Sequence, residues 1–303
     1  MAESENIKPK RTYEENLALA KARAAEAKAR MDAKVEKKAT EDKQLMLPVW
    51  PDVVRGVPNT FLRSALFGVS TNRKTYKQRT VIAAIDGYEI RFLGTTFNQT
   101  DLDVWEMLLH IARPQPLGKK IEFTAHSLLK ELGRGTGGKD HEQLKEELAR
   151  LGSGWTEITD TESKRTFAGN FINSFVRDNE TDHYSVSFTP EMAHLYEAGH
   201  TLIDWKQRQA LGRNNLAKWL QGHYATHAKP HPYKVETLRN LSGSTTTVKA
   251  FKQSLKKALD ALKAVGVIVS WSIDDRDLVH VVRAPSESQR KHLAKKANPK
   301  RKI

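Results

Sequence analysis

One stretch decides the fold, Tyr233 to Arg283: YKVETLRNLSGSTTTVKAFKQSLKKALDALKAVGVIVSWSIDDRDLVHVVR. Its apolar spacing predicts a short helix over Val235–Leu241, a Ser-Gly-Ser turn, and a long helix from about Thr245 to Val265. Gly266 follows, and glycine commonly lies just past a helix end. The remainder alternates apolar and polar residues, which predicts two strands, Val267–Ile273 and Leu278–Arg283. Helix, turn, helix and hairpin is the order of a winged helix-turn-helix module.

The long helix carries two kinds of side chain on adjoining faces. At about 100° per residue one stripe is apolar; it contains Val248, Phe251, Leu255, Ala258, Leu259, Leu262 and Val265. The neighbouring stripe is basic and contains Lys249, Lys252, Lys256 and Lys263. One face suits a protein core and the other suits a polyanion. A solvated lysine face is the alternative, but the preceding turn and the following hairpin favour DNA binding.

Predicted DNA contacts in this stretch fall into two groups. Ser242 and Ser244 are N-cap candidates, and the first turn of such a helix usually meets base edges. The residues predicted at the groove edge are Ser244, Thr246 and Thr247. The residues predicted to neutralise phosphate are Arg239, Lys249, Lys252 and Lys256, with Arg276 of the hairpin turn contacting phosphate or the minor groove.

Composition limits the classes of protein. The chain has 303 residues, enough for two domains with tails, and a net charge of +14, which favours polyanionic partners. It has no cysteine, which excludes disulfides, thiolate metal sites and cysteine nucleophiles. No apolar run approaches the ~20 residues of a membrane-spanning helix, and the charged N-terminus lacks a signal-peptide pattern. We therefore expect a cytoplasmic protein.

The element order of the Tyr233–Arg283 stretch nearly repeats earlier in the chain. An amphipathic helix over Asp101–Arg113 places Leu102 and Trp105 as Asn214–His227 places Leu216 and Trp219. Helices over 125–132 and 139–151 follow, with a glycine-rich turn between them. The two long helices have leucines at the same spacing: Leu144, Leu148 and Leu151 in the first, and Leu255, Leu259 and Leu262 in the second. Each helix precedes a tryptophan, Trp155 or Trp271. This ordered set predicts two tandem winged-helix domains.

The predicted fold class is therefore α+β, with two tandem winged-helix domains, a flexible or helical N-terminal arm and a basic C-terminal tail. The predicted divisions are residues 1–43 (arm), 44–200, 201–284 and 285–303 (tail). Asp86-Gly87 predicts a hairpin between Thr80–Ile85 and Tyr88–Leu93, which we also expect to contribute to a dimer interface. Further predicted elements are a short helix from Pro58 to near Phe67, strands over 155–160, 166–176 and 184–188, and helices over 190–198 and 207–212.

The first domain has a less basic second helix than the second domain. We expect it to expose Glu142, Glu146 and Glu147 beside its cations, and the second domain to supply more of the base contacts. The predicted phosphate contacts of the first domain are Arg134, Lys139 and Lys145.

Two other motifs carry weaker signals. Residues 133–140 nearly match a phosphate-binding loop, but a helix precedes them and Asp140 replaces the Ser/Thr that would bind Mg²⁺. His223, His227 and His231 are four residues apart without the glutamate of H-E-x-x-H. We predict neither a metal nor a cofactor, and no enzymatic activity.

The chain resembles the TrfA family of plasmid replication initiators across residues 44–283. The resemblance rests on a set of short matches: Trp50-Pro51-Asp52, Pro58-Asn59, Arg63-Ser64-Ala65-Leu66-Phe67, Pro232-Tyr233, Leu238, Gly243-Ser244, Val248-Lys249 and Asp277-Leu278-Val279-His280. It implies two winged helices that bind direct repeats (iterons) in a plasmid origin, promote melting of AT-rich DNA and recruit the host replicative helicase. It implies a monomer–dimer equilibrium that limits plasmid copy number.

The resemblance also implies a sliding-clamp-binding peptide ahead of the Trp-Pro-Asp segment. Gln44, Leu45, Met46 and Leu47 stand at its positions, and Pro48 stands where the family has an aromatic residue. The implied partners are double-stranded origin DNA, single-stranded DNA of the opened origin, the helicase, the clamp and a second copy of the chain, in the bacterial cytoplasm on the plasmid. The residues leave two other classes open, namely a winged-helix transcriptional regulator that binds an operator as a dimer, and a DNA nickase.

Overall fold

The computed structural model describes residues 21–32, 45–85, 87–286 and 289–290. The chain divides into two units, Met1–Gln44 and Leu45–Ile303. In the first unit the described residues 21–32 form an exposed helix, in which Arg30 pairs with Glu26 at 3.1 Å, a helix-stabilising spacing. The rest of the predicted arm, with Gln44, lies outside the described residues.

Helices and strands alternate through the second unit, as the mixed α+β prediction requires. Its first elements are β1 (Val54–Pro58), α1 (Asn59–Leu62), β2 (Phe67–Gly68), β3 (Thr75–Ile82), β4 (Tyr88–Thr95), β5 (Phe97–Asn98), α2 (Gln99–Ala112), β6 (Ile121–Thr124), α3 (Ala125–Glu131), α4 (Gly138–Ser153), β7 (Trp155–Asp160), β8 (Arg165–Gly169), β9 (Ser174–Arg177) and β10 (His183–Ser187). A 3₁₀ turn (Pro190–Met192) leads to α5 (Ala193–Glu197), β11 (His200–Asp204), α6 (Trp205–Ala210), α7 (Asn215–Ala225), β12 (Tyr233–Lys234), α8 (Val235–Leu241), α9 (Val248–Ala264), β13 (Ser270–Ile273) and β14 (Leu278–Val282).

Two antiparallel three-stranded sheets have the same connectivity. In one, β10 lies between β6 and β9; in the other, β14 lies between β12 and β13. In each sheet the strand that precedes a pair of helices lies beside the last strand of the hairpin that follows those helices. We call β6–α3–α4–β9–β10 the first module and β12–α8–α9–β13–β14 the second module. α2 packs against α4, and α7 packs against α9.

An additional four-stranded sheet interrupts the first module, in the order β3-β4-β7-β8. Trp155 starts β7 and pairs with Leu93 of β4, whereas Trp271 lies in the hairpin of the second module. The predicted equivalence of the two tryptophans is therefore wrong. The predicted strand over 166–176 is also wrong, because β8 and β9 belong to different sheets. Between them the chain turns inward and buries Phe171 and Ile172 in the core.

Several predicted boundaries change because distant segments pair. β3–β4 pairing ends at Ile82 opposite Ile90, and Ala84 bridges Ser64 instead, so the connection is longer than a two-residue turn. Asp86 lies outside the described residues. The predicted helix to Phe67 is only one turn, α1, because the chain then extends into β2 and pairs in parallel with β5. β1 and β11 were not predicted; they pair antiparallel and join residues distant in sequence.

The buried apolar residues form two clusters. One lies within residues 47–205 and the other within residues 211–281. In the second cluster the predicted stripe of α9 is buried at Phe251, Leu255, Ala258, Leu259 and Leu262, while Val248 and Val265 are half-buried. Gly266 has a φ of +76°, which is costly for other residues, and it ends the helix as predicted. No helix among the described residues is long and apolar enough to cross a membrane.

Candidate nucleic-acid interface

The lysines of α9 do not share one environment. Lys249 and Lys256 are exposed, so their ammonium groups can meet phosphate. Lys252 is half-buried, and its ammonium forms an ion pair with Asp277 in the β13–β14 turn. Lys252 therefore links the helix to the hairpin. In the free protein Lys252 is therefore paired rather than open to phosphate, and its predicted phosphate contact stays a prediction.

The turn before α9 is ordered by its own hydrogen bonds. The Arg239 guanidinium donates to the Thr246 carbonyl at 2.5 Å, and the hydroxyls of Ser244 and Thr246 are 3.0 Å apart. Thr247 is the N-cap of α9, since its hydroxyl accepts from the Ala250 N–H at 3.3 Å. Ser242 is buried and donates to the Arg239 carbonyl, so the predicted serine caps are wrong. Thr246 and Thr247 remain exposed at the start of the helix.

The β13–β14 turn is built around Asp274. Its carboxylate accepts from the N–H groups of Arg276 (3.0 Å) and Leu278 (2.9 Å) and lies 3.1 Å from Nε2 of His280. The hydrogen bond from His280, together with these N–H groups, holds the pKa of Asp274 below its usual value. This closed turn exposes Arg276, which fits its predicted position at the tip.

The first module uses its cations differently from the second. Arg134 donates to the Glu147 carboxylate at 2.6 Å and to the Thr100 carbonyl at 3.0 Å. Glu147 is fully buried rather than exposed as predicted, and its burial raises its pKa. We therefore assign Arg134 a structural role and remove it from the candidate interface. Lys145 pairs with Glu142 at 2.8 Å, and Lys139 is exposed at the start of α4.

The glycine-rich turn between α3 and α4 has the geometry of a helix start. The Asp140 carboxylate accepts from the Gly137 N–H at 3.3 Å and so caps α4. A Cβ at Gly135 would lie 2.6 Å from the same carboxylate, which explains the glycine there. Since α3 precedes this turn and a carboxylate fills it, the turn does not resemble a phosphate-binding loop.

The three histidines at 223, 227 and 231 pack in a row with tilted or edge-on rings. Ring centroids are 5.1 Å apart for His223 and His227, and 5.4 Å apart for His227 and His231. Nε2 of His227 lies 3.3 Å from the Tyr233 hydroxyl, and its Nδ1 lies 3.0 Å from the His223 carbonyl. Within the described ranges no group of three acidic or histidine side chains is arranged to hold a metal ion.

The apolar segment before the Trp-Pro-Asp sequence packs against its own domain. Leu47 is 2 % exposed, and the Leu45 carbonyl accepts from the Leu117 N–H at 3.0 Å. Met46 points outward and is 44 % exposed. Trp50 is buried and donates its indole N–H to Nδ1 of His110 at 3.2 Å. Of the predicted clamp-binding peptide, the structure thus describes Leu45 to Leu47 in a docked state.

Arg283, just before the predicted basic tail, is anchored to the C-terminal end of α7. The Arg283 guanidinium donates to the carbonyls of Tyr224 (3.1 Å), Ala225 (3.3 Å) and His227 (3.1 Å). Arg290 is exposed, and residues 291–303 lie outside the described residues.

Comparison with known proteins identifies the family. The sequence profile of the TrfA protein family matches residues 9–283. The chain belongs to the TrfA family. The plasmid replication initiator protein TrfA of Escherichia coli is 27% identical over 288 residues, which cover 91% of this chain and 74% of that protein. The family membership predicted from short matches is therefore confirmed.

A solved structure resembles this TrfA-family protein in fold. The crystal structure of domains 2 and 3 of RctB superposes with a TM-score of 0.52 and 12% identity, covering 76% of this chain and 99% of that chain. At this identity the likeness concerns the fold alone. The likeness agrees with the mixed helix-and-sheet architecture.

Proposed function

We propose that this protein initiates plasmid replication by binding direct repeats (iterons) in the origin through two winged-helix modules. The observation that carries this proposal is the second module, in which an ordered turn and a basic helix precede a closed hairpin. Membership in the TrfA family and the E. coli initiator among its relatives support the link to replication. The place of action is the cytoplasm, on the plasmid.

The geometry supports a specific docking mode. α9 enters the major groove with its first turn at the base edges, as recognition helices do. The exposed Thr246 and Thr247 lie at that end, beside half-buried Ser244, and supply hydroxyls for bases or nearby phosphates. Lys249 and Lys256 neutralise backbone charge, and Arg276 reaches phosphate or the minor groove from the hairpin turn. Lys139 and Lys145 of the first module add backbone contacts.

The repeated module explains why direct repeats are the expected target. Two modules in one chain have the same strand order and follow each other in sequence, so a monomer can contact two successive segments of one duplex. A transcriptional regulator that binds as a symmetric dimer needs an inverted repeat instead. We further propose that binding promotes opening of AT-rich DNA, and that the protein recruits the host helicase and has no nuclease activity of its own.

We propose that the Leu45–Leu47 segment binds the sliding clamp after leaving its present site. The buried Leu47 and the Leu45 carbonyl bond mean that clamp binding competes with docking on the domain. A synthetic peptide of residues 41–51 is therefore expected to bind the clamp more tightly than the full chain does. A full chain that binds as tightly as the peptide contradicts this competition.

The test of the proposed function is footprinting of the full chain on its own plasmid, combined with permanganate mapping of unpaired thymines. Regularly spaced protection on direct repeats with reactive thymines beside them supports an initiator that opens the origin. Protection of one inverted repeat without melting identifies a transcriptional regulator. Cleavage of the same DNA by pure protein with Mg²⁺ or Mn²⁺ identifies a nickase.

A further inference from the structure

Four charged side chains are buried together where the two modules are joined. Asp103 and Glu106 lie on α2, Arg208 lies on α6, and Lys218 lies on α7; each is less than a tenth exposed. The Asp103 carboxylate accepts from Nε of Arg208 at 2.7 Å and from Nζ of Lys218 at 2.6 Å. One carboxylate therefore connects the helix that supports the first module to the helix that supports the second.

The arginine completes this connection. Arg208 also donates to the Gln99 side-chain oxygen at 3.1 Å and to the Lys218 carbonyl at 3.4 Å, and it lies 3.4 Å from the Glu106 carboxylate. Removing one partner from a buried ion pair leaves an uncompensated charge, which is strongly unfavourable. A different placement of α2 relative to α7 would separate Asp103 from its cations. The network thus favours a single arrangement of the two helices.

The position of these helices determines the position of the candidate DNA-binding helices. α2 packs against α4 of the first module, and α7 packs against α9 of the second. Each long helix is therefore carried by one of the two helices that meet at Asp103. A change at this junction moves α4 and α9 relative to each other while leaving the inside of each module intact.

We propose that Asp103 is a positioning residue that holds α4 and α9 at one separation and rotation, and so sets the spacing of the DNA segments that both modules contact at once. The part of this proposal that concerns DNA spacing rests on the proposed function, whereas the part that concerns the placement of α4 and α9 does not. Asp103 itself touches no DNA in this mechanism and acts through Arg208 and Lys218.

The chain offers a matched control two residues away. Asp101 lies on the same helix, is fully buried, and accepts from Arg73 at 2.5 Å and Arg150 at 3.0 Å. Arg73 precedes α2 in the chain and Arg150 lies on α4, so neither partner belongs to the second module or to α7. Asp101→Asn therefore removes an equally buried, doubly paired carboxylate without breaking the connection to α7.

The first experiment measures the distance between the modules without DNA. The chain has no cysteine, so Ser153→Cys at the exposed end of α4 and Ser254→Cys on the exposed side of α9 allow two spin labels to be placed. We expect one narrow distance distribution in the parent and in Asp101→Asn, and a broadened or split one in Asp103→Asn. An unchanged distribution in Asp103→Asn, or equal broadening in Asp101→Asn, overturns the proposal. If Asp103→Asn does not fold, Lys218→Met takes its place, because it removes only the ion pair between Lys218 and Asp103. An unchanged distance distribution in Lys218→Met then overturns the proposal.

The second experiment uses the direct-repeat duplex identified by footprinting, either intact or with about five base pairs, roughly half a helical turn, inserted at the centre of one protected segment. When both modules must engage together, the insertion costs the parent roughly tenfold or more in affinity. The insertion is expected to weaken binding of Asp101→Asn as much as it weakens binding of the parent. For Asp103→Asn we expect the insertion to change the affinity much less. An Asp103→Asn protein with broadened distances and the full insertion cost overturns the link to DNA spacing. A parent that binds no direct repeat refutes the proposed function, while the label distances still decide whether Asp103 positions the modules.

Discussion

The two modules have the same strand order but use their charged residues in opposite ways. On α4 of the first module, Lys145 pairs with Glu142, and Arg150 pairs with Glu146 and the buried Asp101. On α9 of the second module, Lys249 and Lys256 are exposed, and Lys252 pairs with Asp277 of the hairpin turn. Equal topology therefore does not mean equal function. On α4, Lys145 and Arg150 form internal ion pairs while Lys139 stays exposed, and on α9 Lys249 and Lys256 are exposed to solvent.

The additional sheet strengthens this contrast. β7 and β8 are inserted between α4 and the hairpin of the first module and extend the β3–β4 sheet. The helix pair of the second module leads directly into its hairpin, and Lys252 and Asp277 join the two. We infer that the second module is the main DNA reader and that the first is a support with weaker backbone contacts.

Core substitutions at matched positions give the largest expected effect. Leu148 of α4 and Leu255 of α9 are both fully buried, so Leu→Ala at either site should cost about 2–5 kcal/mol in the free energy of unfolding. Urea titration measures this cost. Below the unfolding transition, Leu255→Ala should also lower DNA affinity, whereas Leu148→Ala should leave it within a few-fold. Equal losses of affinity would remove the distinction between the modules.

The buried Glu106 is expected to make the stability of the protein depend on pH. Burial raises the pKa of Glu106 to about 7, with the nearby Asp103 charge adding to the rise and Arg208 opposing it. Because its pKa is higher in the folded state, its contribution to stability is fully present below pH ~4.5 and is lost as the pH rises through about 7. Glu106→Gln should therefore gain stability relative to the parent above pH 7, by at most about 3 kcal/mol. Denaturation at pH 5 and pH 8 measures the difference; a difference that is constant between the two contradicts the prediction.

Exposed lysines should distinguish the modules through the salt dependence of binding. Replacing Lys249 and Lys256 together by alanine should lower affinity for repeat DNA and flatten the log-log salt slope by about 1.8, since each phosphate contact contributes about 0.9. The matched pair Lys139→Ala and Lys145→Ala should flatten it less, because Lys145 is already paired with Glu142. Fluorescence anisotropy across a salt series measures both slopes. A larger change for the first-module pair would reverse the assignment of the main reader.

The second module was largely predictable because its elements follow one another locally. Residues 235–241 form a helix as predicted, and the apolar stripe of α9 is buried where the spacing placed it. The first module was less predictable because β6, β9 and β10 are separated by an inserted sheet, and pairing between distant strands leaves no local pattern. β1 and β11 escaped prediction for the same reason.

Candidate DNA-binding side chains could be predicted from the sequence only where helix periodicity determines whether a side chain is exposed. Lys249 and Lys256 are exposed as the stripe requires, but the partners of Lys252 and Arg134 come from other elements and no spacing reveals them. The junction was missed because α2 was interpreted as amphipathic, whereas it is buried on nearly all sides, together with Asp101, Asp103 and Glu106. Three carboxylates within six residues, beside Leu and Trp at helical spacing, were the available signal for a buried ionic network.

The Lys252–Asp277 pair gives the smallest expected effect and the finest test of the second module. If Lys252 serves mainly to hold the hairpin, Lys252→Ala should leave the salt slope nearly unchanged, whereas a phosphate contact would flatten it by about 0.9. Asp277→Asn releases Lys252 and keeps the backbone, since Asp277 has a φ of +59° and asparagine tolerates that conformation. It should therefore steepen the slope and tighten DNA binding modestly, because a cation is freed and a negative charge is removed near the duplex. If Lys252→Ala flattens the slope by a full phosphate contact and Asp277→Asn leaves it unchanged, then Lys252 already leaves Asp277 for DNA, and all three lysines act alike in binding.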